Sequence, residues 1–488
     1  MMPSPLFERP PVVASQPRLL LLSYHFPPDT TVGARRWEKL ATFVSERGWG
    51  LDVITHEEPV EDRSRLEALP AGVRVFTVPP VVLPVERLEH IAWRAYRALL
   101  PAERPSAGGS GGAGTASGNG RGAARVRPDT LDRGDVRWSL RSPRELMRAY
   151  WAWIEFARYG TWARRAAALG VQLARTGSYF AVVTSGPPHM THVGGRIVGL
   201  RARLPFVMDM RDPWSLNQRL PESMASPLWL RLASRHERQV VESAALVVAN
   251  TDPARDALGR LYPSARERII AVMNGSDDDP LPPSRRGGRF TIGYAGTIYD
   301  SRDPRNLFRA AARVIAELGL CPDEFGLDFI GVFDRPGETP VGELARQEGI
   351  APFVTVGPAR PQAQAMEFLA QATMLVTFPG LNLITIPAKT FECVRFDAWL
   401  LALSQRGSAT DILLRDTTAD VVPPDDVEGI AAAIRKRVLE HRRGVVPTRV
   451  ASDDRFGRRG QARILLDALA RFLPQDAREP RSALVTRS

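Results

Sequence analysis

Cysteine is nearly absent from this chain, and so is lysine. Only Cys321 and Cys393 occur in 488 residues, with no paired spacing. That excludes a disulfide scaffold and a cysteine zinc site, and fits a reducing compartment. Lys39, Lys389 and Lys436 are the only lysines among 65 basic residues. The net charge of +11 is therefore almost all arginine, a skew that points to GC-rich coding bias rather than a nucleic-acid surface. Zinc-ligand spacing, a helix-turn-helix signature and RNA-binding aromatic motifs are all missing, so no nucleic-acid partner is expected. Neither Gly-x-Gly-x-x-Gly nor a P-loop is present, so a nicotinamide cofactor has no fingerprint. No apolar run approaches the ~20 residues of a membrane span. The first residues lack a long apolar core and a small-residue cleavage site, so a signal peptide is not expected. What basicity leaves open is an anionic membrane surface or a phosphorylated small molecule.

The composition that remains is globular: 44% hydrophobic and 24% charged, long enough for two or three domains. Short apolar runs read as buried parallel strands, and helical periodicity falls between them. Residues 18–24, 51–55, 73–78, 180–184, 205–208, 245–249 and 269–272 form a first alternating set. Residues 290–297, 327–330, 354–356, 374–377, 399–403 and 420–422 form a second. The expectation is an α/β chain of two tandem Rossmann-like, doubly wound domains facing a cleft. The first spans 1–282, with a disordered Gly/Ser/Ala-rich insert at about 104–135; the second spans 283–450. An amphipathic helix falls in 451–475 and a polar tail in 476–488. The acidic, then Pro-rich, stretch 277–288 marks the linker. Its acidic trio, Asp277 to Asp279, reads as solvated rather than as a metal site. Segment 138–169 is rich in Trp, Tyr and Arg. Two readings stand: helices packed on their own sheet, or a patch on an anionic membrane surface.

The stretch around Lys389 organises the second half. A strand ends near Phe378, a loop follows, and a helix begins near Pro387. Free N–H groups of a first helical turn suit a phosphate. Lys389 in that turn opposes the helix dipole, a misfit that a bound anion would relieve, and Glu392 can reach sugar hydroxyls. Gly33, before Arg35 and Arg36, and Gly296-Thr297, before Arg302, open two further loops where backbone can approach an anion. His25, His189 and His192 are candidate acid/base groups at strand ends. Asp209, Arg211 and Asp212 sit at another strand end facing the same cleft.

Taken together these pieces resemble the family-four retaining glycosyltransferases of the GT-B fold, in a bacterial branch with an Arg-Asp-Pro-Trp motif. The resemblance rests on the first loop from Ser23 to Arg36, the run from Thr184 to His192, and the run from Asp209 to Trp214. It also rests on Asn274 to Asp277, Gly293 to Thr297, and Ile386 to Glu392, all in the family's order. It implies an enzyme with a nucleotide-diphosphate sugar donor on the second domain and a polysaccharide, glycolipid or other glycan acceptor on the first. Lys389, Arg302, Asp209 and Arg211 would then be catalytic, with Lys389 and Arg302 offsetting charge on the diphosphate without a metal or other cofactor. Gly33, Gly296, Thr297, Asn382, Thr390 and Glu392 would contact the donor, Glu392 at the ribose. His25, His189 and Asp212 would lie on the acceptor side. The last helix would cross back to the first domain. A cytoplasmic location follows, with possible peripheral contact at the inner membrane face. Two departures stand out: Ile384 where the family often has Glu, and Met210-Arg211 where many members place His. A nucleotide-sugar epimerase and a non-catalytic nucleotide-sugar-binding or assembly protein on the same plan remain alternatives.

Overall fold

A computed structural model describes residues 3–11, 16–59, 63–88, 130–133, 136, 142–284, 287–298, 302–333, 339–378, 383–450 and 454–475. Two largely parallel sheets dominate it. The first has eight strands: β1 (Phe7–Glu8), β2 (Arg18–Ser23), β3 (Gly50–His56), β4 (Val73–Val78), β6 (Tyr179–Gly186), β7 (Phe206–Met210), β9 (Leu246–Ala249) and β10 (Ile269–Ala271). Their spatial order is β1-β4-β3-β2-β6-β7-β9-β10, and only β1 runs antiparallel to its neighbour. The second has six: β11 (Phe290–Thr297), β12 (Phe325–Val332), β13 (Val354–Pro358), β14 (Met374–Thr377), β15 (Trp399–Leu403) and β16 (Asp420–Val422). They lie in the order β13-β12-β11-β14-β15-β16. Both orders reverse beside the first long strand of the sheet, which is the doubly wound pattern expected from the sequence. A short β5 (Thr130–Asp132) pairs antiparallel with β8 (Arg219–Pro221). Residues 130–132 are thus ordered, which corrects the expected extent of the insert; residues 104–129 lie outside the described residues.

Burial explains why the parallel strands read as unbroken apolar runs. Leu19 through Leu22 are all 0% exposed, because helices cover both faces. Leu20, Leu22 and Ile54 face one cluster, with Trp162 and Val198. Leu19, Leu21 and Val53 face another, with Trp37. That second cluster also takes Leu465, Leu466 and Leu469 from the helix Arg458–Ala470, so the last helix packs against the first sheet.

The longest helix, Pro143–Thr176, starts at Ser142, whose side chain accepts from the Glu145 N–H, with Pro143 in the first position. Its buried stripe carries Ala163, Ala166, Ala167 and Gly170. These small residues let the helix Thr191–Ala202 come close. A Cβ on Gly194 would sit 2.8 Å from the Ala163 carbonyl oxygen, so only glycine fits there. Of the aromatics in this segment, Phe156 and Trp162 are core, whereas Trp151 and Trp153 are 41% and 47% exposed. Packing on the sheet thus accounts for part of the aromatic set and leaves these two outside.

Within the acidic trio only Asp277 is withdrawn from water, at 13% exposed, whereas Asp278 and Asp279 are solvated as expected, at 60% and 62%. Asp277 receives Arg458 Nε at 2.6 Å and faces Arg35 at 3.6 Å; Asp278 faces Arg459 at 3.5 Å, and Asp279 faces Lys39 at 3.2 Å. The linker is therefore clasped by cations from the helix Arg35–Glu46 and from the last helix. Burial alone would raise the Asp277 pKa, and the Arg458 guanidinium more than offsets it, so the carboxyl sits below its usual range.

Glu155 carries the opposite shift. Burial pushes it up to about 7, with Arg158 opposing, and its Oε2 is buried without a partner. The fold favours the protonated acid, so this contribution to stability is present below about pH 4.5 and is lost as pH rises through about 7. Urea titrations of wild type and Glu155→Gln across that window should show the variant losing less stability with rising pH; parallel curves would contradict the assignment.

Candidate functional site

In each sheet the loops diverge at the switch in strand order, which is where doubly wound folds hold ligands. In the first sheet the switch lies between β2 and β6, so the loop carrying His25 and the loop from Gly186 to His192 meet there. In the second it lies between β11 and β14, which brings together Gly296-Thr297 and the loop leading to Lys389.

On the first sheet one buried ion pair sets the geometry. Asp209, at the end of β7, is 0% exposed, and Arg36 forks onto it with Nε at 2.9 Å and Nη2 at 3.0 Å. Trp37 Nε1 donates to the same carboxylate at 2.8 Å. Arg36 also reaches the Val272 and Met273 carbonyls and Asn274 Oδ1. This corrects two expectations. Asp209 is a structural anchor whose oxygens are already taken, not a group on the substrate, and Arg36 cannot fork onto a phosphate. Arg35 faces Asp277 instead.

Arg211, two residues on, donates from Nη1 to the Gly33 carbonyl at 2.7 Å and faces Asp212, whose side chain is 52% exposed. Gly33 lies in a short 3-10 turn, and a Cβ there would come within 3.0 Å of Arg211 Nη1 and 3.2 Å of His25. Its missing side chain makes room for those two groups. His25 Nδ1 sits 2.5 Å from Asp29 Oδ2. Next to it, His56 stacks on Tyr24 with centroids 4.3 Å apart and reaches Glu58 at 2.7 Å.

His189 and His192 turn inward. The His189 ring stacks on Trp214 at 5.1 Å, and His192 Nδ1 meets Thr184 Oγ1 at 2.8 Å. Burial, then the neighbouring His192 and Arg211, hold His189 well below its usual pKa; burial brings His192 down to about 3. Both are neutral members of an aromatic packing layer, which corrects the expectation of His189 and His192 as acid/base groups.

On the second sheet, Lys389 stands in the first turn of the helix Ala388–Cys393, with Pro387 as the extended residue before it rather than within it. Lys389 Nζ pairs with Glu392 at 2.8 Å, and both side chains are partly exposed at 35% and 24%. An (i, i+3) pair of this kind is worth about 0.2–0.5 kcal/mol, so breaking it costs little. Thr390 is 0% exposed and its N–H is taken by the Pro387 carbonyl at 2.9 Å, so it holds the turn and does not face a ligand. Ile386 and Phe391 pack in one cluster with Ala295 of β11, which seats this helix beside Gly296-Thr297. Arg302 Nη1 donates to the Thr297 carbonyl at 3.3 Å, and Tyr294 Oη to the same oxygen at 3.0 Å. Asn382 lies outside the described residues.

Ile384 joins the two halves. Its carbonyl accepts from Thr251 Oγ1 at 2.5 Å, and its side chain lines an apolar pocket of Met210, Pro213, Leu216, Ala249 and Leu258 on the first unit. The residue standing where a glutamate was expected is an apolar peg between domains. Sequence reading also missed Asp29, whose only signal was its spacing of four from His25, and the anchoring role of Arg36. Among the described residues, one group could hold a metal: His25, Asp29 and His56, with ligating atoms within 4.8 Å of one another. No helix among the described residues is long and apolar enough to cross a membrane.

No family model matches the chain. It is 29% identical over 231 residues to D-inositol 3-phosphate glycosyltransferase 1 of Catenulispora acidiphila, a match covering 43% of this chain and 52% of that protein. It is 32% identical over 131 residues to D-inositol 3-phosphate glycosyltransferase 2 of the same organism, covering 24% and 31%. The first match thus spans about half of its relative's length and the second about a third. Among solved structures, a glycosyltransferase from Rickettsia africae superposes with a TM-score of 0.54 at 11% identity, covering 94% of this chain and 99% of that one. Anabaena HepE in complex with UDP-glucose gives 0.54 at 13% identity, covering 93% and 99%. The fold is GT-B.

Asp209→Asn, which leaves Arg36 buried without a counter-charge, should lower unfolding free energy by about 3–5 kcal/mol in urea melts; an unchanged midpoint would show that the pair is not an anchor. Ile384→Glu puts a carboxylate into an apolar pocket. It should speed amide exchange in the helix Asp252–Leu261 and around residue 384, while the rest of each sheet keeps its protection. Equal exchange at those amides would mean that the peg holds nothing.

Proposed function

We propose that this chain is a glycosyltransferase. It moves a sugar from a nucleotide-diphosphate sugar, bound at the switch point of the second sheet, to a hydroxyl of a glycan, polysaccharide or glycolipid held by the first. The observation that carries the reading is the placement of Lys389, a rare lysine in an arginine-rich chain, beside Gly296-Thr297 where the second sheet reverses its order. The partial matches to inositol-phosphate glycosyltransferases support it. The likeness to HepE, which was solved with UDP-glucose, adds only that the fold is one able to take such a donor.

In this reading the departing diphosphate replaces Glu392 as the partner of Lys389. Arg302 adds a second positive charge, and backbone N–H groups of the two loops face the phosphates. Negative charge grows on the leaving oxygen as the sugar–phosphate bond stretches, and fixed cations in a water-poor cleft stabilise it most at that moment. Glu392, released from Lys389, turns to the ribose hydroxyls. No metal is required by this arrangement. The acceptor oxygen attacks on the face that the nucleotide leaves, so the anomeric configuration is retained. A lipid-borne acceptor would bring the exposed Trp151 and Trp153 near the inner membrane face, from the cytoplasmic side.

A nucleoside-diphosphate release assay with UDP-, GDP- and ADP-sugars, alongside melting-temperature shifts, tests the proposal. One donor should raise the melting temperature and be consumed. Lys389→Ala should cut turnover by about 100-fold with the ligand-free melting temperature unchanged, the size seen when one fixed donor to developing negative charge is lost. Unchanged turnover would remove Lys389 from the site. Binding without release by the unaltered chain would favour a sugar-nucleotide sensor, and release without transfer to any hydroxyl would favour an epimerase-like course.

A further inference from the structure

The loop after β2 and the end of β3 bring together side chains that the donor chemistry does not use. The two strands are parallel neighbours, so His25 and Asp29 on one and His56 on the other leave the sheet at the same end. Each offers one ligating atom, and the three atoms lie within 4.8 Å of one another. Glu58, two residues beyond His56, adds a second carboxylate.

These groups are held in the way that a metal ion requires. His56 Nδ1 lies 2.6 Å from the Tyr24 carbonyl, which can only accept, so Nδ1 carries a proton. The neutral ring then presents the lone pair of Nε2. A backbone carbonyl on the far nitrogen is a common way of fixing a metal-binding imidazole. Stacking on Tyr24, with 4.3 Å between centroids and 4° between planes, sets the ring's orientation. Nε2 faces Glu58 Oε1 at 2.7 Å. A lone pair facing a carboxylate is unfavourable unless a cation or a proton stands between them. Asp29 is 2% exposed. Thr31 aims its carboxylate, donating its N–H to Oδ1 at 2.7 Å and its hydroxyl to Oδ2 at 3.0 Å. Oδ2 also faces His25 Nδ1 at 2.5 Å.

The donor set selects the ion. Two carboxylates balance one divalent cation. Magnesium and calcium prefer oxygen ligands alone, whereas imidazole suits zinc and its transition-metal neighbours. Zinc takes mixed nitrogen and oxygen ligands at about 2.0–2.2 Å in four-coordinate geometry.

We propose that His25, Asp29 and His56, with Glu58, form a binding site for a divalent transition-metal ion of the zinc class. The ion is a staple between the loop after β2 and the end of β3. This goes beyond the glycosyl-transfer reading and does not depend on it: the site belongs to the first sheet, and no step of sugar transfer runs through it. On loading, His25 binds through Nδ1 and its ring proton moves to Nε2, while His56 keeps its proton on Nδ1. Coordination then adds to the bonds that Thr55 Oγ1 and His56 already make to the Tyr24 carbonyl.

The test uses the full chain, stripped with a chelator and titrated by calorimetry with zinc, magnesium and calcium chlorides. Zinc should bind at one equivalent and raise Tm, and magnesium and calcium should do neither at the same concentration. X-ray absorption of the zinc-loaded chain should show nitrogen and oxygen neighbours at about 2.0–2.2 Å with imidazole scattering. Nitrogen-15 NMR of labelled histidines should show zinc moving the His25 and His56 signals, His25 from Nδ1–H to Nε2–H, and leaving His441 unchanged. His25→Ala and His56→Ala should each weaken zinc binding at least about 100-fold, beyond the range for loss of an outer-shell partner; His441→Ala should bind like wild type. The NMR titration of wild type keeps the test decisive should a variant fail to fold. No zinc binding by wild type at millimolar zinc, equal affinity in both site variants, or a preference for magnesium or calcium would overturn the site. None of these readouts is turnover, so that failure leaves the transferase reading standing, and failure of the transferase reading leaves the metal site standing.

Discussion

The buried pair of Arg36 and Asp209 is what the candidate site depends on. Its members come from the first helix and from the end of β7, and the same guanidinium reaches the chain just before the interdomain linker. Three segments far apart in sequence are thereby held to one point. The loop before Arg36 carries His25 and Gly33, and the residue after Met210 is Arg211. Both sides of the mouth at the first sheet's switch point hang from one ion pair. Such a pair contributes less to net stability than to uniqueness, since its desolvation cost offsets most of its attraction. What it gives is register: with both oxygens of Asp209 taken, the strand end and the helix start have one arrangement.

The second half is built on a looser principle. Lys389 and Glu392 are partly exposed neighbours on one short helix, and their attraction is small. That suits a place where charge must change partners. The switch point of the first unit thus fixes its ion pair in the dry interior, and that of the second keeps its pair exchangeable. Ile384 meets the first unit between these two regimes through an apolar side chain and one backbone carbonyl. A contact of that kind is directional without being charged, so it does not compete with the phosphates that the cleft is proposed to hold.

Much of this was legible in the residues. Buried parallel strands announce themselves, because two covered faces demand continuous apolar runs. Strands β4, β11, β14, β15 and β16 have the bounds that the sequence predicts. The tandem α/β plan followed from the alternation. The site was legible only in its location. Strand ends can be read, but whether a polar side chain there turns inward depends on partners from other elements, the farthest 173 residues away. Asp209 and Arg36 are 173 positions apart, so no local pattern could assign the aspartate to the interior. His25, His189 and His192 share a sequence setting; Trp214 and Thr184 bury two of them, and Asp29 keeps the third at the surface. Ile384 looked like a lost glutamate because the pocket that receives it belongs to the other half of the chain.

The last helix has a mechanical consequence. The chain passes between the halves twice, and the passages touch: the Ser276 N–H bonds the Phe456 carbonyl at 2.7 Å, and the Arg458 N–H bonds the Ser276 carbonyl at 2.8 Å. Two adjacent tethers act as a single axle. Severing either tether leaves the other in place. Alignment of the halves at this end is therefore set twice over, once by each passage of the chain.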